Sequence, residues 1–294
     1  MFVATLIASG KLTDEVVREA FDRLHTSDHK VTAQHWLDEG DAADIFFEGG
    51  LASAREVLAG LDHGQLDIVV QPESDRQKKM IIADMDSTMI TVECIDELAD
   101  YAGLKPQIAA ITESAMRGEI DFREALDQRV SLLKGMDEQL LAECRRQRVQ
   151  LSPGARTLVQ TMKAHGAHSV LISGGFMPFA GPVGESIGFD RVFANALEIQ
   201  DGKLTGKVLE PIVDSAAKLA RLKSEAAEQG IKLGDTLAVG DGANDIEMIA
   251  AAGLGAGYHP HPACAEAADM VIRHHDLTAL LWAQGYPRRE WTYG

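Results

Sequence analysis

The sequence predicts an α/β protein: a Rossmann-like, doubly wound parallel sheet with a helical cap insertion, preceded by a small ferredoxin-like α+β domain. Three patterns carry this prediction. Residues 1–76 give the element order βαββαβ, the split unit of ferredoxin-like domains. At residues 80–83 an apolar run of strand length stops abruptly at Asp84, as a strand buried on both faces does. From Ser152 onward helix and strand alternate to the end, which implies a mostly parallel sheet covered on both sides.

In chain order, residues 2–8 are apolar and strand-like, and 13–24 carry Val16, Val17, Ala20, Phe21 and Leu24 at helical spacing, with Thr13 as N-cap. Residues 31–37 and 43–47 read as strands around a turn at 38–41, 51–61 as a helix and 66–70 as a strand. The charged segment 71–79 reads as an exposed linker, dividing the chain into domains 1–76 and 77–294. After the Asp84 strand comes a helix-rich insertion, about 95–148, with helical patterns at 96–101, 106–117, 122–133 and 137–145 broken by Gly103, Gly118 and Gly135. Placed there, it is a lid over the strand's end. The alternation then runs helix 155–164, strand 168–172, a Ser173-Gly174-Gly175-Phe176 interruption, helix 177–187, a hairpin of 192–199 and 204–209, helix 214–230, strand 236–239 and helix 246–251.

Composition narrows the function. Apolar residues make up 46% and charged residues 25%, a globular profile, and the formal net charge is −17. So acidic a chain argues against nucleic acid or an anionic membrane as partner. Cys94, Cys144 and Cys264 are far apart and odd in number, which suits a reducing compartment and gives no zinc spacing. Residues 2–8 lack the preceding positive charge of a signal peptide, and nothing approaches the roughly 20 apolar residues of a membrane span. A cytoplasmic protein is expected.

Four groups stand at expected strand ends or nearby: Asp84/Asp86, Ser173/Gly174/Gly175, Lys218 and Asp241/Asn244/Asp245. Open α/β sheets hold ligands at the carboxyl ends of their strands. Asp84, Asp86 and Asp241 are hard oxygen donors of the kind Mg²⁺ takes, and Ser173 with the glycine amides makes an anion cradle at a helix start. Lys218 supplies a positive charge. Together these describe phosphoryl transfer through a carboxylate nucleophile. Singly each is weak: an Asp-x-Asp turn is more often solvated, and Lys218 shares its helix with Arg221 and Lys223, by default a surface face.

Asp84-Met85-Asp86-Ser87-Thr88 resembles the Asp-x-Asp-x-Thr signature of the haloacid dehalogenase superfamily, and Ser173, Lys218 and Gly240-Asp241-Gly242-Ala243-Asn244-Asp245 match its other three motifs in order. The resemblance covers about residues 80–285. Within the superfamily the chain is similar to the phosphoserine phosphatase family, through these motifs with Glu93, the Arg129-Val130-Ser131-Leu132-Leu133-Lys134-Gly135 run and Phe176.

The resemblance implies that Asp84 attacks phosphorus and that Asp86 protonates the leaving oxygen, then activates water. It implies Mg²⁺ held by Asp84, the Asp86 backbone carbonyl and Asp241 with Asp245 in support, and phosphate held by Ser173, Gly174, Gly175 and Lys218 with Asn244 nearby. It further implies O-phosphoserine as substrate, its ammonium paired with Glu93 and its carboxylate gripped by Arg129, in a pocket lined by Met116 and Phe122. Residues 1–76 resemble the ACT-like domains of some relatives, which bind amino acids and pair between subunits, so a homodimer is expected through them. Two alternatives stay open: a related phosphatase or phosphotransferase with another acceptor such as homoserine, and a chiefly regulatory module. The pairs at His259/His261 and His274/His275 are expected to be loop and surface histidines.

Overall fold

A computed structural model of the chain describes every residue but Asp28, Asp62, His63, Arg117, Gly118 and Gly294, and leaves the side chains of Ala115 and Met116 undescribed. The amino-terminal unit consists of β1 (Phe2–Ile7), α1 (Asp14–Thr26), β2 (Lys30–Asp38), β3 (Ala42–Glu48), α2 (Leu51–Ala59) and β4 (Asp67–Pro72). Its antiparallel sheet has the order β2-β3-β1-β4, the ferredoxin-like arrangement expected. Thr13 caps α1 by accepting from the Val16 amide, and the helix buries Val16, Val17, Ala20 and Leu24 on the sheet.

The segment from β4 to β5 (Met80–Ala83) departs from the expected exposed linker. Most of its side chains face water, but Gln71 and Lys78 are buried and Arg76 is turned inward. Arg76 donates to both oxygens of Asp44, to Thr5 and to the carbonyls of Trp282 and Ala283; Gln71 donates to Ala283 at 2.7 Å. Charge composition suggests solvation, whereas here the Arg76 guanidinium meets buried carbonyls of the carboxy-terminal helix. His275 is likewise not a surface residue: its Nδ1 lies 2.8 Å from Asp67, whose carboxylate also accepts from the Arg273 and His274 amides.

The large sheet has the order β11-β10-β9-β5-β6-β7-β8. Its further members are β6 (His168–Phe176), β7 (Arg191–Gln200), β8 (Lys203–Leu209), β9 (Thr236–Gly240), β10 (Leu254–Tyr258) and β11 (Met270–Ile272), all parallel except β8, which returns from β7 as a hairpin. Helices flank both faces. The cap comprises α3 (Cys94–Tyr101), α4 (Lys105–Met116), α5 (Phe122–Ser131) and α6 (Gln139–Arg148). The remaining helices are α7 (Ala155–Ala164), α8 (Met177–Ile187), α9 (Ser215–Glu228), α10 (Ile246–Ala251), α11 (Pro262–Ala267) and α12 (Ala279–Ala283). The cap enters and leaves through a two-stranded neck, Ile90 bridging Leu151. It is also braced by the β7–β8 hairpin: the Gly135 amide donates to Leu204 at 2.8 Å and the Leu204 amide to Met136 at 2.9 Å. The Ser173-Gly174-Gly175-Phe176 stretch, expected to interrupt the strand, continues β6 with a bulge.

Candidate active site

β5 lies between β6 and β9, with Ala83 paired to Leu171 on one side and to Val239 on the other. Chain order reverses about β5, the switch point at which open α/β sheets form ligand crevices. Asp84 follows β5, Ser173 ends the regular pairing of β6, and Asp241 follows β9, so three distant segments deliver side chains to one edge. Lys218 joins them from the first turn of α9, whose N-cap Asp214 accepts from the Ala217 amide at 2.8 Å.

Asp84, Asp241 and Asp245 each present a carboxylate oxygen within 4.8 Å of the others. Lys218 is fully buried; its ammonium donates to Asp84 and, at 2.7 Å, to Asp245. The second Asp245 oxygen accepts from the amides of Asp241 (3.2 Å) and Gly242 (3.1 Å), tying the loop after β9 to the lysine. Gly240 is required there, because a Cβ would lie 2.4 Å from the Asp245 carboxyl carbon.

One ammonium faces three carboxylates. Burial, then the Asp245 charge, holds the Asp84 carboxyl well above its ordinary range against the pull of Lys218. Burial and Asp245 likewise push Asp241 up to about 6. Burial works to lower the Lys218 pKa, and Asp84 and Asp245 outweigh it, keeping the amine charged. Buried hard-oxygen donors short of positive charge fit a divalent cation such as Mg²⁺, and Asp84, Asp241 and Asp245 are the side chains that could hold it.

The Asp86 side chain stands apart from that cluster. It accepts from the Cys94 amide at 2.9 Å, satisfying a free N–H of the first turn of α3, and from the Ser173 hydroxyl at 3.3 Å. Burial raises its pKa, which favours a protonated carboxyl able to donate. Ser173 in turn accepts from the Gly175 amide at 2.8 Å, and a Cβ on Gly175 would come within 2.6 Å of Asp86. Between the two aspartates and the cap, Ser87 takes the left-handed conformation at φ 54° and donates to Glu93 at 2.6 Å. Desolvation of its carboxyl and then Asp86 raise Glu93 to about 7, although the residue as a whole is exposed.

Among the cap residues, Arg129 is half-buried and donates through Nε to the Ala125 carbonyl. Burial lowers its pKa, opposed by Asp96 and Glu93, the charges it faces. The Phe122 ring reaches within 3.4 Å of where a Cβ on Gly174 would stand, with the Asn244 amide 3.9 Å from the same point. Met116 ends α4, and its side chain lies outside the described residues.

Thr88 entered the sequence reading only as the last residue of the signature, with no role of its own, and Asn195 did not enter it. Thr88 donates to Asp241 at 3.1 Å and is fully buried. Asn195, also fully buried, bridges Gly174 and Val213. An asparagine inside a strand is disfavoured, and that was the available signal.

The chain belongs to the haloacid dehalogenase-like hydrolases, whose family model matches residues 81–250. It is 40% identical over 242 residues to phosphoserine phosphatase SerB2 of Mycobacterium tuberculosis, an alignment taking in 82% of this chain and 59% of that one. It is 42% identical over 215 residues to the phosphoserine phosphatase of Streptomyces coelicolor, covering 73% of this chain and 52% of that one. The chain thus spans between half and two thirds of the length of these curated relatives. The unliganded crystal structure of a probable phosphoserine phosphatase from Vibrio cholerae superposes with a TM-score of 0.77 at 34% identity, over 100% of this chain and 90% of that one.

Proposed function

We propose that the chain hydrolyses O-phospho-L-serine to L-serine and phosphate through an aspartyl-phosphate on Asp84, the closing step of serine biosynthesis. The single observation that carries this reading is the division of the two aspartates. Asp84 lies in the lysine–carboxylate cluster, while Asp86 faces Ser173 and the start of the cap. In the first half-reaction an Asp84 oxygen bonds to phosphorus, the bond from phosphorus to the serine oxygen breaks, and Asp86 gives that oxygen its proton. In the second, Asp86 takes a proton from water as the water oxygen attacks phosphorus, releasing phosphate and restoring Asp84. Lys218 offsets charge on the transferring group, and Ser173 with the Gly174 and Gly175 backbone cradles it, Asn244 standing nearby.

Mg²⁺ among Asp84, Asp241 and Asp245, with the Asp86 carbonyl, would supply the charge neutralisation those carboxylates lack. Glu93 and Arg129 would recognise the ammonium and carboxylate of the substrate, in a pocket that Phe122 and Met116 line. Support comes from the similarity to phosphoserine phosphatases and from the opposite charges that Glu93 and Arg129 present to each other. Residues 1–76 are taken as an ACT-like domain that regulates the phosphatase domain 77–294 and pairs between subunits. The open edge of β2 supports the pairing. A cytoplasmic location accords with three buried, unpaired cysteines and with the absence, among the described residues, of a helix long and apolar enough to cross a membrane.

A panel of phosphomonoesters assayed with magnesium tests the reading. Phosphoserine should be preferred over phosphothreonine and sugar phosphates; a flat profile, or a preference for another ester, contradicts it.

A further inference from the structure

From Val170 and Arg191 β6 and β7 pair residue for residue as far as Ile172 with Phe193, then Ser173 with Ala194. The next paired residues are Phe176 and Asn195, so Gly174 and Gly175 are extruded from the ladder, with Gly175 beside Asp86. An extruded pair leaves backbone groups without their ladder partners. The Asn195 side chain fills that gap. Its amide nitrogen donates to the Gly174 carbonyl at 2.8 Å, and its amide oxygen accepts from the Val213 N–H at 2.7 Å. Only one orientation of the amide satisfies both partners, since a carbonyl needs the NH₂ and an N–H needs the oxygen.

The Gly174 carbonyl and the Gly175 N–H belong to the same peptide unit. The first is held by Asn195, the second by the Ser173 hydroxyl at 2.8 Å, and that hydroxyl also meets Asp86. The plane of this peptide is therefore fixed from both ends. On the other side, Val213 immediately precedes the N-cap of α9, and Lys218 donates its backbone N–H to that N-cap's carbonyl one turn on. Asn195 thus joins two segments, the anion-cradling loop and the lysine helix, that are otherwise set by different strands. We propose that Asn195 is a positioning residue for phosphoryl transfer, locking the 173–175 loop to the start of the Lys218 helix. The inference rests on the phosphatase reading above.

The test compares Asn195→Ala, which removes both bonds, with Asn195→Asp, which keeps an acceptor for Val213 but sets a carboxylate oxygen against the Gly174 carbonyl. Both are measured for folding by circular dichroism, for kcat and KM with magnesium, and for binding of inorganic phosphate by calorimetry. A folded variant should lose about 100-fold in kcat, the scale expected when reacting groups shift by about an ångström. KM and the dissociation constant for phosphate should rise by less than about tenfold, because a displaced loop still meets a bound phosphate. A residue that merely fills space would lower the melting temperature without this split. Either folded variant with kcat within about twofold of the parent overturns the proposal, and so does failure of both to fold, which would assign Asn195 to the fold alone. If the parent prefers another ester to phosphoserine, the substrate reading fails while the Asn195 comparison is made on that ester.

Discussion

Lys218 and Asp245 meet at 2.7 Å with neither side chain exposed to solvent. A buried ion pair of this kind is sustained by its surroundings: remove the cation, and Asp84, Asp241 and Asp245 are left together without a counter-charge. Losing one partner of a buried pair costs about 3–5 kcal/mol. Lys218→Met should therefore lower unfolding stability by about that amount in metal-free buffer, read by urea denaturation, and abolish turnover. A Lys218→Met protein as stable as the parent would show that the three carboxylates do not need the ammonium.

Magnesium and protons should compete at the same carboxylates. Asp241 is pushed up to about 6, above the usual carboxylate range, so it binds a proton in mildly acidic solution, and Asp84 is raised in the same direction. Metal binding requires the ionised forms. The melting-temperature increase produced by a fixed magnesium concentration should grow as pH rises from about 5 to about 7, across the Asp241 value. Chelation should silence turnover, and added magnesium restore it. A magnesium effect that is independent of pH across this window contradicts the assignment of Asp241 as a ligand.

If Arg129 grips the substrate carboxylate as proposed, Arg129→Ala should separate recognition from chemistry. A charge-assisted hydrogen bond to a carboxylate contributes about 1.5–3 kcal/mol, so kcat/KM for phosphoserine should fall about 10- to 150-fold. Para-nitrophenyl phosphate has no carboxylate, and its hydrolysis should change by less than about threefold. Equal losses on both would remove Arg129 from substrate recognition.

Asp67 joins the amino-terminal unit to the segment after β11, and its pKa lies below the ordinary value. Burial acts to raise it, but the His275 side chain and the Arg273 and His274 amides outweigh burial. A carboxyl with a depressed folded-state pKa adds stability above its unfolded pKa, about 3.9, and loses it as pH falls through the lower folded value. Asp67→Asn should cost about 1–3 kcal/mol at neutral pH, and the difference from the parent should shrink as pH falls below about 3.9 and through the lower folded value. A difference that persists there would place the effect in packing rather than in the carboxylate.

Most of the architecture was legible because its signals are local. The apolar run ending at Asp84 and the helical spacing after Thr13 each depend on neighbours in sequence. The convergence of Asp84, Ser173 and Asp241 was legible for a different reason: parallel strands fix which ends share an edge, whereas Lys218, on a helix, was assigned only through the order of the family motifs. Contacts between elements remote in the chain were not legible. Arg76 reads as a linker charge until the Ala283 carbonyl lies beside it, and His275 as a surface residue until Asp67 does. Asn195 depends on a two-residue bulge in the adjacent strand, which spacing alone does not reveal.

The most direct measurement is a rapid acid quench during turnover of phosphoserine, followed by peptide mass mapping. A phosphoryl group on the peptide bearing Asp84, absent when Asp84→Asn is used and accompanied there by loss of turnover, is the predicted result. Turnover that continues in Asp84→Asn, or a phosphoryl group carried on another residue, contradicts the account.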